Sequence, residues 1–235
     1  MNRETTNRIR FVLEDLLPPV VRDSSLFRGA ASLVWGDHIS RLASFRERAP
    51  FLTDAEYERL YRDHPRVHEG TDNSDACIAR IIADTVGESV CDVGCGTGAL
   101  IRQIRDAREG QGRYTGVDFV VEDAAAIPGV EYVAARIEEL PFEDNAFDTV
   151  ICTHVIEHLL DYRCAIAELR RVAARRLIIV VPREREYRYS FNPHFNFFPY
   201  THSFLRAMHP VPAVHECVDI GRDIYYLEDV ATTVQ

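Results

Sequence analysis

Three glycines at alternate positions are the first residues of this chain that indicate chemistry. They are Gly94, Gly96 and Gly98, in the run Val-Cys-Asp-Val-Gly-Cys-Gly-Thr-Gly that begins at residue 90. The run predicts a strand that enters a tight turn and then a helix. Glycine lets a ligand approach the backbone there, and the helix start offers free N–H groups. With Ala99 the spacing also fits a dinucleotide fingerprint, so the loop alone leaves open a nucleotide site or an ordinary turn.

A carboxylate after the next predicted strand narrows the choice of ligand. Gly-Val-Asp ends that strand, and 118 − 94 = 24 positions separate Asp118 from the first glycine of the loop. A carboxylate at this place can accept hydrogen bonds from both ribose hydroxyls of an adenosine. The alternative is an ordinary surface aspartate at a strand end. Combined with the glycine loop, Asp118 favours a cofactor that contains a nucleoside.

Three further runs follow in a fixed order. Residues 138–150 read Glu-Glu-Leu-Pro-Phe-Glu-Asp-Asn-Ala-Phe-Asp-Thr-Val, residues 151–159 read Ile-Cys-Thr-His-Val-Ile-Glu-His-Leu, and residues 169–172 read Leu-Arg-Arg-Val. With the glycine loop, these runs resemble the class I S-adenosylmethionine-dependent methyltransferases over roughly residues 75–228. A nicotinamide enzyme would give no reason for the Leu-Pro-Phe and Glu-His-Leu elements.

The resemblance implies a position for each part of S-adenosylmethionine, whose product is S-adenosylhomocysteine. Asp92 and the three glycines would cradle the amino-acid end. Asp118 would hold the ribose, and Phe119 would lie against the adenine. The remaining implied contacts are Ile137 and Glu138 beside the adenine, and Thr153 and His154 beneath the methionine portion. The chain departs from the family at Arg136, where an acid is common, so we leave Arg136 out of the site.

A catalytic base is needed only if the acceptor must lose a proton, because the sulfonium already makes the methyl group electrophilic. His154 follows the predicted end of a strand, where ligands collect in such folds, and is our first candidate; a polar rim residue is the alternative. His194 is the second candidate, or else ties its loop down. For His158 the resemblance suggests a structural or cofactor-side role.

Seven aromatic residues follow Pro182 within a short stretch. Part of it, around His194 and Ser203, resembles a stretch found in small-molecule and glycan members of the family. Apolar walls with a few directed polar groups suit a small ligand, so we expect an acceptor pocket lined by Tyr189, His194, Phe197 and Phe198. The alternative is an aromatic cluster that packs a lid or a dimer seam. Beyond it, Met-His-Pro-Val-Pro at 208–212 replaces the family's glycine-phenylalanine pair and leaves the route of the last helix and hairpin open.

Alternating apolar runs and helical stretches position these residues. Strands are predicted at 89–93, 114–117, 130–134, 147–152 and 177–181, with helices at 98–105 and 161–172 and another capped by Asn73 or Ser74. The order predicts an α/β fold with a Rossmann-like doubly wound sheet, mostly parallel, closed by an antiparallel edge hairpin at 214–218 and 224–227. We assign 73–235 to this domain and 1–72 to an N-terminal helical cap or lid; packing and oligomer contacts are the alternative for that segment. Within it, helical spacing at 9–17 and a capping box at Thr53 and Glu56, opening a helix through Tyr61, are expected.

Composition limits the partners. The formal net charge is −10, and all 27 basic residues are arginines, so Schiff-base chemistry on lysine is excluded and a phosphate-backbone partner is disfavoured. The six cysteines form no C-x-x-C pair, and we expect reduced, mostly structural thiols. No apolar run approaches the ~20 residues that span a bilayer, and residues 1–10 lack a signal core, so we expect a cytoplasmic protein without a membrane partner.

These observations predict transfer of a methyl group from S-adenosylmethionine to an oxygen or nitrogen of a small metabolite, such as a sugar or a secondary-metabolite scaffold. The alternatives are methylation of a macromolecule and a non-methylating protein that binds S-adenosylmethionine. We expect no metal, since only His154 and His158 have a ligand-like spacing, and no nucleic acid. A homodimer is left open.

Overall fold

In the computed structural model, the described residues are 11–35, 45–53, 55–57, 59, 70–121, 127–189 and 192–230. Internal contacts divide the chain into two compact units. The larger unit comprises residues 70–183 and 200–235, and the smaller unit comprises residues 1–69 and 184–199. The boundary that the sequence predicts between residues 72 and 73 stays a prediction.

A seven-stranded sheet forms the centre of the larger unit. The strands are β1 (Ser89–Val93), β2 (Arg113–Asp118), β3 (Val130–Ala134), β4 (Phe147–Thr153), β5 (Ala173–Pro182), β6 (His215–Ile220) and β7 (Asp223–Asp229). Their order is β3-β2-β1-β4-β5-β7-β6. Strands β1 to β5 run parallel, whereas β7 is antiparallel to both β5 and β6. The predicted Rossmann-like sheet with an antiparallel edge hairpin is therefore confirmed.

The helices of the larger unit bury one apolar face each. They are α4 (Asp75–Asp84), α5 (Ala99–Ala107), α6 (Tyr162–Val172) and α7 (Thr201–Ala207), with a short 3-10 turn at Ile156–His158. Ser74 caps α4 by accepting the Cys77 N–H at 3.2 Å, and Asp161 caps α6 by accepting the Cys164 N–H at 3.1 Å. These caps fix where each helix begins relative to the neighbouring strand.

Strands β4 and β5 lie in the middle of the sheet and are covered on both faces. Residues 150–152 of β4 and 177–181 of β5 are fully buried, which explains their continuous apolar runs. A partly buried ion pair holds the hairpin: Nε and Nη2 of Arg170 in α6 donate to the Glu228 carboxylate of β7 at 2.6 and 2.7 Å. After α7 the chain thus reaches the edge hairpin in spite of the unusual residues at 208–212.

The smaller unit contains short helices and the aromatic segment 184–199. Its described helices are a π-helical turn at Phe11–Leu16, α1 (Pro19–Arg22), α2 (Ser25–Trp35), α3 (Phe45–Arg48) and a 3-10 turn at Ala49–Phe51. The predicted capping box is formed, because the Thr53 N–H donates to Glu56 Oε2 at 2.9 Å and the Glu56 N–H to Thr53 Oγ1 at 3.4 Å. Residue 9 of the first predicted helix and Tyr61 lie outside the described residues.

All six cysteines are free thiols, as the sequence predicts. No helix in the described part of the chain combines the length and apolar character that a membrane crossing needs.

Candidate functional site

The glycine loop leaves the end of β1 and is tied to the end of β2. The N–H groups of Gly94 and Cys95 both donate to the Val117 carbonyl, at 2.7 and 3.0 Å. All three glycines have positive φ, of +79°, +55° and +78° in chain order. A residue with a Cβ would be strained at each position, which is why the loop needs glycine before any ligand is considered.

Two of these glycines also make room for neighbouring side chains. A Cβ at Gly94 would collide with the side chain of Val155, and a Cβ at Gly98 would collide with the hydroxyl of Tyr132. The sequence predicted close ligand approach and positive φ at this loop. The structure adds a further reason for glycine, close packing against β3 and the segment after β4.

Asp118 binds the loop itself. Its Oδ2 accepts the Gly96 N–H at 2.8 Å, and its Oδ1 accepts the Val120 N–H at 3.2 Å. The carboxylate at the end of β2 is therefore hydrogen-bonded to the glycine loop after β1, and the predicted contact of Asp118 with a ribose stays a prediction.

Asp92 is the most unusual group near the loop. It is 1% exposed, and its Oδ2 has no hydrogen-bond partner within the described residues. Burial, together with the charge of Asp118, raises the pKa of Asp92 to about 7. A buried carboxylate oxygen without a donor is costly unless a ligand supplies one. The site therefore suits a ligand that brings an ammonium or another donor to Asp92.

The predicted adenine contacts lie on the loops after β2 and β3. Phe119 is 37% exposed, and Ile137 is buried. Glu138 faces Arg136 at 3.7 Å from carboxylate oxygen to guanidinium nitrogen, so Arg136 is already engaged as an ion-pair partner. The Ala135 N–H donates to the Asp118 carbonyl at 3.0 Å, which joins these two loops at the carboxyl edge of the sheet.

Thr153 and His154 lie where β4 ends, at the same edge. Thr153 accepts a hydrogen bond from the Asn73 side-chain amide at 2.9 Å. His154 has φ +56°, a left-handed conformation that is rare outside glycine and that often marks functional sites, and its N–H donates to the Val180 carbonyl at 2.9 Å. Sequence reasoning treated Asn73 only as a helix cap, because its partner is 80 positions away.

The His154 imidazole lies among acidic groups. Its Nδ1 is 3.7 Å from Glu157 Oε1, and its Nε2 is buried without a hydrogen-bond partner in the described residues. Burial alone would lower the pKa of His154, but the contact with Glu157 and the charges of Asp223 and Asp72 outweigh it and raise that pKa above its usual value. Nδ1 of the imidazole thus faces a carboxylate, whereas its buried Nε2 has no partner in the described residues.

The predicted acceptor-side residues belong to the smaller unit. His194 is 7% exposed, and its Nδ1 lies 2.6 Å from Glu184 Oε2. The Glu184 N–H also donates to the Phe198 carbonyl at 3.3 Å, so Glu184 contacts this segment at two positions. Sequence reasoning missed Glu184, since nothing in its local pattern distinguishes it from a surface glutamate.

Arginines cover the aromatic rings of this segment. The guanidinium carbons of Arg28 and Arg188 each lie 5.7 Å from the centre of the Tyr189 ring, and that of Arg46 lies 4.9 Å from the Phe197 ring. Tyr189 and Phe198 are buried, and Phe197 is half-buried. These rings pack within the smaller unit, and their role in binding an acceptor stays a prediction.

Comparison with known proteins supports the assignment of the larger unit. Residues 91–180 match the family described as a methyltransferase domain. Over 93 residues the chain is 37% identical to an uncharacterized 37.1 kDa transposon protein of Streptomyces fradiae and 36% identical to demethylmenaquinone methyltransferase of Staphylococcus aureus. Each match covers 37% of this chain, and 27% and 39% of the two relatives. The chain thus spans well under half the length of the curated relatives it matches.

Solved structures agree on the fold. A SAM-dependent methyltransferase from Aquifex aeolicus is 18% identical with a TM-score of 0.54, covering 75% of this chain and 98% of that one. Magnesium protoporphyrin IX methyltransferase from Synechocystis, solved with bound SAH, is 17% identical with a TM-score of 0.51, covering 77% and 96%. Residues 91–180 thus match a methyltransferase domain, and the chain shares the fold of these solved methyltransferases.

Proposed function

We propose that this protein transfers the methyl group of S-adenosylmethionine to an oxygen or nitrogen of a small metabolite, such as a sugar or a secondary-metabolite scaffold. The observation that carries the proposal is the unpartnered, buried Oδ2 of Asp92 beside the glycine loop. The methionine end of the cofactor brings an ammonium group, the kind of donor that this oxygen lacks. Asp92, Gly94, Gly96 and Gly98 would hold that end.

The other cofactor contacts follow from residues at the carboxyl edge of the sheet. Asp118 now accepts two backbone N–H groups, and a carboxylate retains acceptor capacity for ribose hydroxyls. Phe119 is exposed enough to lie against the adenine, next to Ile137 and Glu138. Thr153 and His154 would line the methionine side. When bound, S-adenosylmethionine supplies an electrophilic methyl group, and the chain's residues align the acceptor and exclude water.

A small acceptor is favoured by two observations. Demethylmenaquinone methyltransferases are among the relatives by sequence, and their names indicate a small-molecule substrate. The net charge of −10, without a single lysine, disfavours a phosphate-backbone substrate. We further propose that His154 acts as the base when the acceptor is a hydroxyl, with His194 as the second candidate. The unpartnered Nε2 of His154 can receive the proton that leaves as the carbon–oxygen bond forms.

Cofactor binding is tested by a matched pair of glycine variants. Gly96 and Gly221 have φ of +55° and +64°, so alanine strains both backbones to a similar degree. Nothing lies within 4 Å of a Cβ at Gly221, which turns the edge hairpin. We expect Gly96→Ala to weaken S-adenosylhomocysteine binding at least ~10-fold in calorimetry, whereas Gly221→Ala leaves it unchanged. Equal affinity in both variants, or tighter binding of a nicotinamide dinucleotide by the unmodified protein, would contradict the cofactor assignment.

Methyl transfer itself is tested with S-adenosylmethionine that carries an isotope-labelled methyl group. Incubation with candidate small-molecule extracts should move the label into a small product and release S-adenosylhomocysteine. Label that stays on the cofactor would favour a binding protein, and label on protein or nucleic acid would favour a macromolecular acceptor.

A further inference from the structure

A histidine and a buried carboxylate follow the end of β4, and they lie three positions apart in the sequence. His154 and Glu157 are joined by the residues that lead into the 3-10 turn Ile156–His158, and this turn directs Glu157 back toward the imidazole. Glu157 is 1% exposed, and its Oε1 lies 3.7 Å from His154 Nδ1 and 3.9 Å from His158 Nε2. One buried carboxylate oxygen therefore lies within ion-pair distance of two imidazoles.

From this geometry we infer that Glu157 is a positioning residue, which holds His154 with its proton on Nδ1 and its lone pair on Nε2. The inference rests on the proposed function, in which His154 receives the acceptor's proton. It adds the group that selects the reactive nitrogen. Glu157 does not touch the acceptor in this arrangement and acts only through His154.

Three observations support the assignment. The Nε2 atom of His154 is buried and has no hydrogen-bond partner within the described residues, whereas Nδ1 faces a carboxylate. The backbone that places the ring beside Glu157 is itself fixed, because His154 has φ +56° and its N–H donates to the Val180 carbonyl. A neutral imidazole donates from one nitrogen and accepts at the other, so a carboxylate at Nδ1 leaves Nε2 as the acceptor.

The acidic groups around His154 act in the same direction. Glu157 faces it from the 3-10 turn, Asp223 from the start of β7, and Asp72 from the segment before α4, while the His158 imidazole lies against the same Glu157 oxygen. Among these acids, Glu157 has the largest effect on the pKa of His154. A carboxylate at this distance favours the protonated imidazole, which suits a group that must take up a proton.

The experiment is NMR spectroscopy of the full-length protein with 15N- and 13C-labelled histidine, with and without S-adenosylhomocysteine. His154→Asn serves only to assign the signal. In the unmodified protein we expect neutral His154 to carry its proton on Nδ1. In Glu157→Gln we expect its pKa to fall by about 1 unit and the tautomer to shift toward a proton on Nε2. Glu131→Gln, an exposed carboxylate on β3, should leave both readouts unchanged.

The measurement separates this inference from the proposed function. A proton on Nε2 of His154 in the unmodified protein, or an unchanged titration in Glu157→Gln, would overturn the positioning role even if the protein methylates its acceptor. Should Glu157→Gln not fold, the tautomer of the unmodified protein decides alone. Conversely, the expected tautomer without any transfer of labelled methyl would leave the His154–Glu157 pair intact and overturn the proposed function.

Discussion

The two aspartates at the carboxyl edge of the sheet differ in how well their carboxylates are hydrogen-bonded. Asp118 is satisfied by two backbone N–H groups, but Asp92 stays buried with an unpartnered oxygen and a pKa of about 7. The ligand-free protein therefore carries a local instability at the position that we propose for the cofactor's ammonium. Such a conflict between stability and function is expected at binding sites.

Asp92→Asn should raise the stability of the ligand-free protein and weaken cofactor binding. Because the folded pKa of about 7 lies above the usual 3.8, the stabilisation from protonation is complete below about 4 and is lost as pH rises through about 7. At pH 8 the variant should melt at least about 2 °C higher, since each kcal/mol shifts the Tm of a domain this size by roughly 2–4 °C. Its affinity for S-adenosylhomocysteine should drop ~10-fold or more.

Differential scanning calorimetry and binding calorimetry at pH 5 and pH 8 measure both effects. The gain in Tm should be largest at pH 8 and shrink toward pH 5. A variant that is less stable at pH 8, or that binds as tightly as the unmodified protein, would show that Asp92 has another partner.

His154 and His194 are both held by glutamates, at 3.7 and 2.6 Å from Nδ1. If the acceptor is a hydroxyl, replacing the true base with alanine should lower kcat by about 10²–10⁴, while the Kd for S-adenosylhomocysteine changes little. We expect this loss in His154→Ala and a smaller one in His194→Ala. The measurement is steady-state kinetics of both variants with the acceptor found by labelled-methyl transfer.

The pH dependence provides a second readout. Because the pKa of His154 is raised, the rate of the unmodified protein should rise with pH through a value above the usual ~6.5 and then level off. Near-unmodified turnover in both alanine variants would remove general-base catalysis by either histidine and would favour an amine that arrives neutral.

At the scale of elements, the aromatic segment 184–199 depends on the N-terminal helices of its own unit. Arg22 of α1 is 2% exposed, donates to the Tyr189 carbonyl at 2.7 Å and lies 5.0 Å from the Tyr187 ring centre. Arg46 of α3 reaches the Tyr187 carbonyl, and Asp23 accepts the Arg188 N–H at 2.6 Å. Backbone groups of three consecutive residues, 187 to 189, are thus held by side chains of the N-terminal segment.

Arg22→Met should loosen this segment, because the Tyr189 carbonyl loses a buried charged donor. We expect hydrogen exchange of the amides of residues 187–189 to speed up at least ~10-fold. Arg28→Met is the matched control, since Arg28 is exposed and contacts only the face of the same Tyr189 ring among its described contacts. Hydrogen exchange with mass spectrometry compares the two; equal protection in both would show that α1 does not hold the segment.

At the scale of the whole molecule, the net charge limits which classes of partner the protein can bind. With 37 acidic and 27 basic residues, the chain carries a net charge of −10. Many of the arginines in the described residues already pair with acids, as Arg80, Arg170, Arg171 and Arg176 do. The surface therefore offers little positive potential to a polyanion.

We expect no measurable binding of duplex DNA or RNA at 50 mM salt at micromolar concentrations. Fluorescence anisotropy across 50 to 300 mM salt tests this, because phosphate contacts weaken steeply as salt rises. Binding that is tight at low salt and falls sharply with added salt would support a nucleic acid as the methyl acceptor.

The sequence by itself determined the sheet, the glycine loop and the position of Asp118. These features are encoded locally, in strand and helix periodicity, in glycines that must adopt positive φ, and in a fixed spacing between consecutive strands. The predicted strand ends agree with the structure to within a few residues, the largest difference being the earlier start of β5 at Ala173. The same local signals account for the caps at Ser74 and Asp161.

Only the tertiary structure decided which distant groups meet. The Tyr189 carbonyl and Arg22 are 167 positions apart, and Asn73 and Thr153 are 80 apart. Such contacts depend on strand order and on how helices pack, which no local pattern encodes. The unpartnered oxygen of Asp92 is likewise invisible in the sequence, because burial and missing donors are properties of the packed interior. The local sequence therefore specifies the glycine loop, whereas tertiary packing determines which buried polar groups lie beside it without a partner.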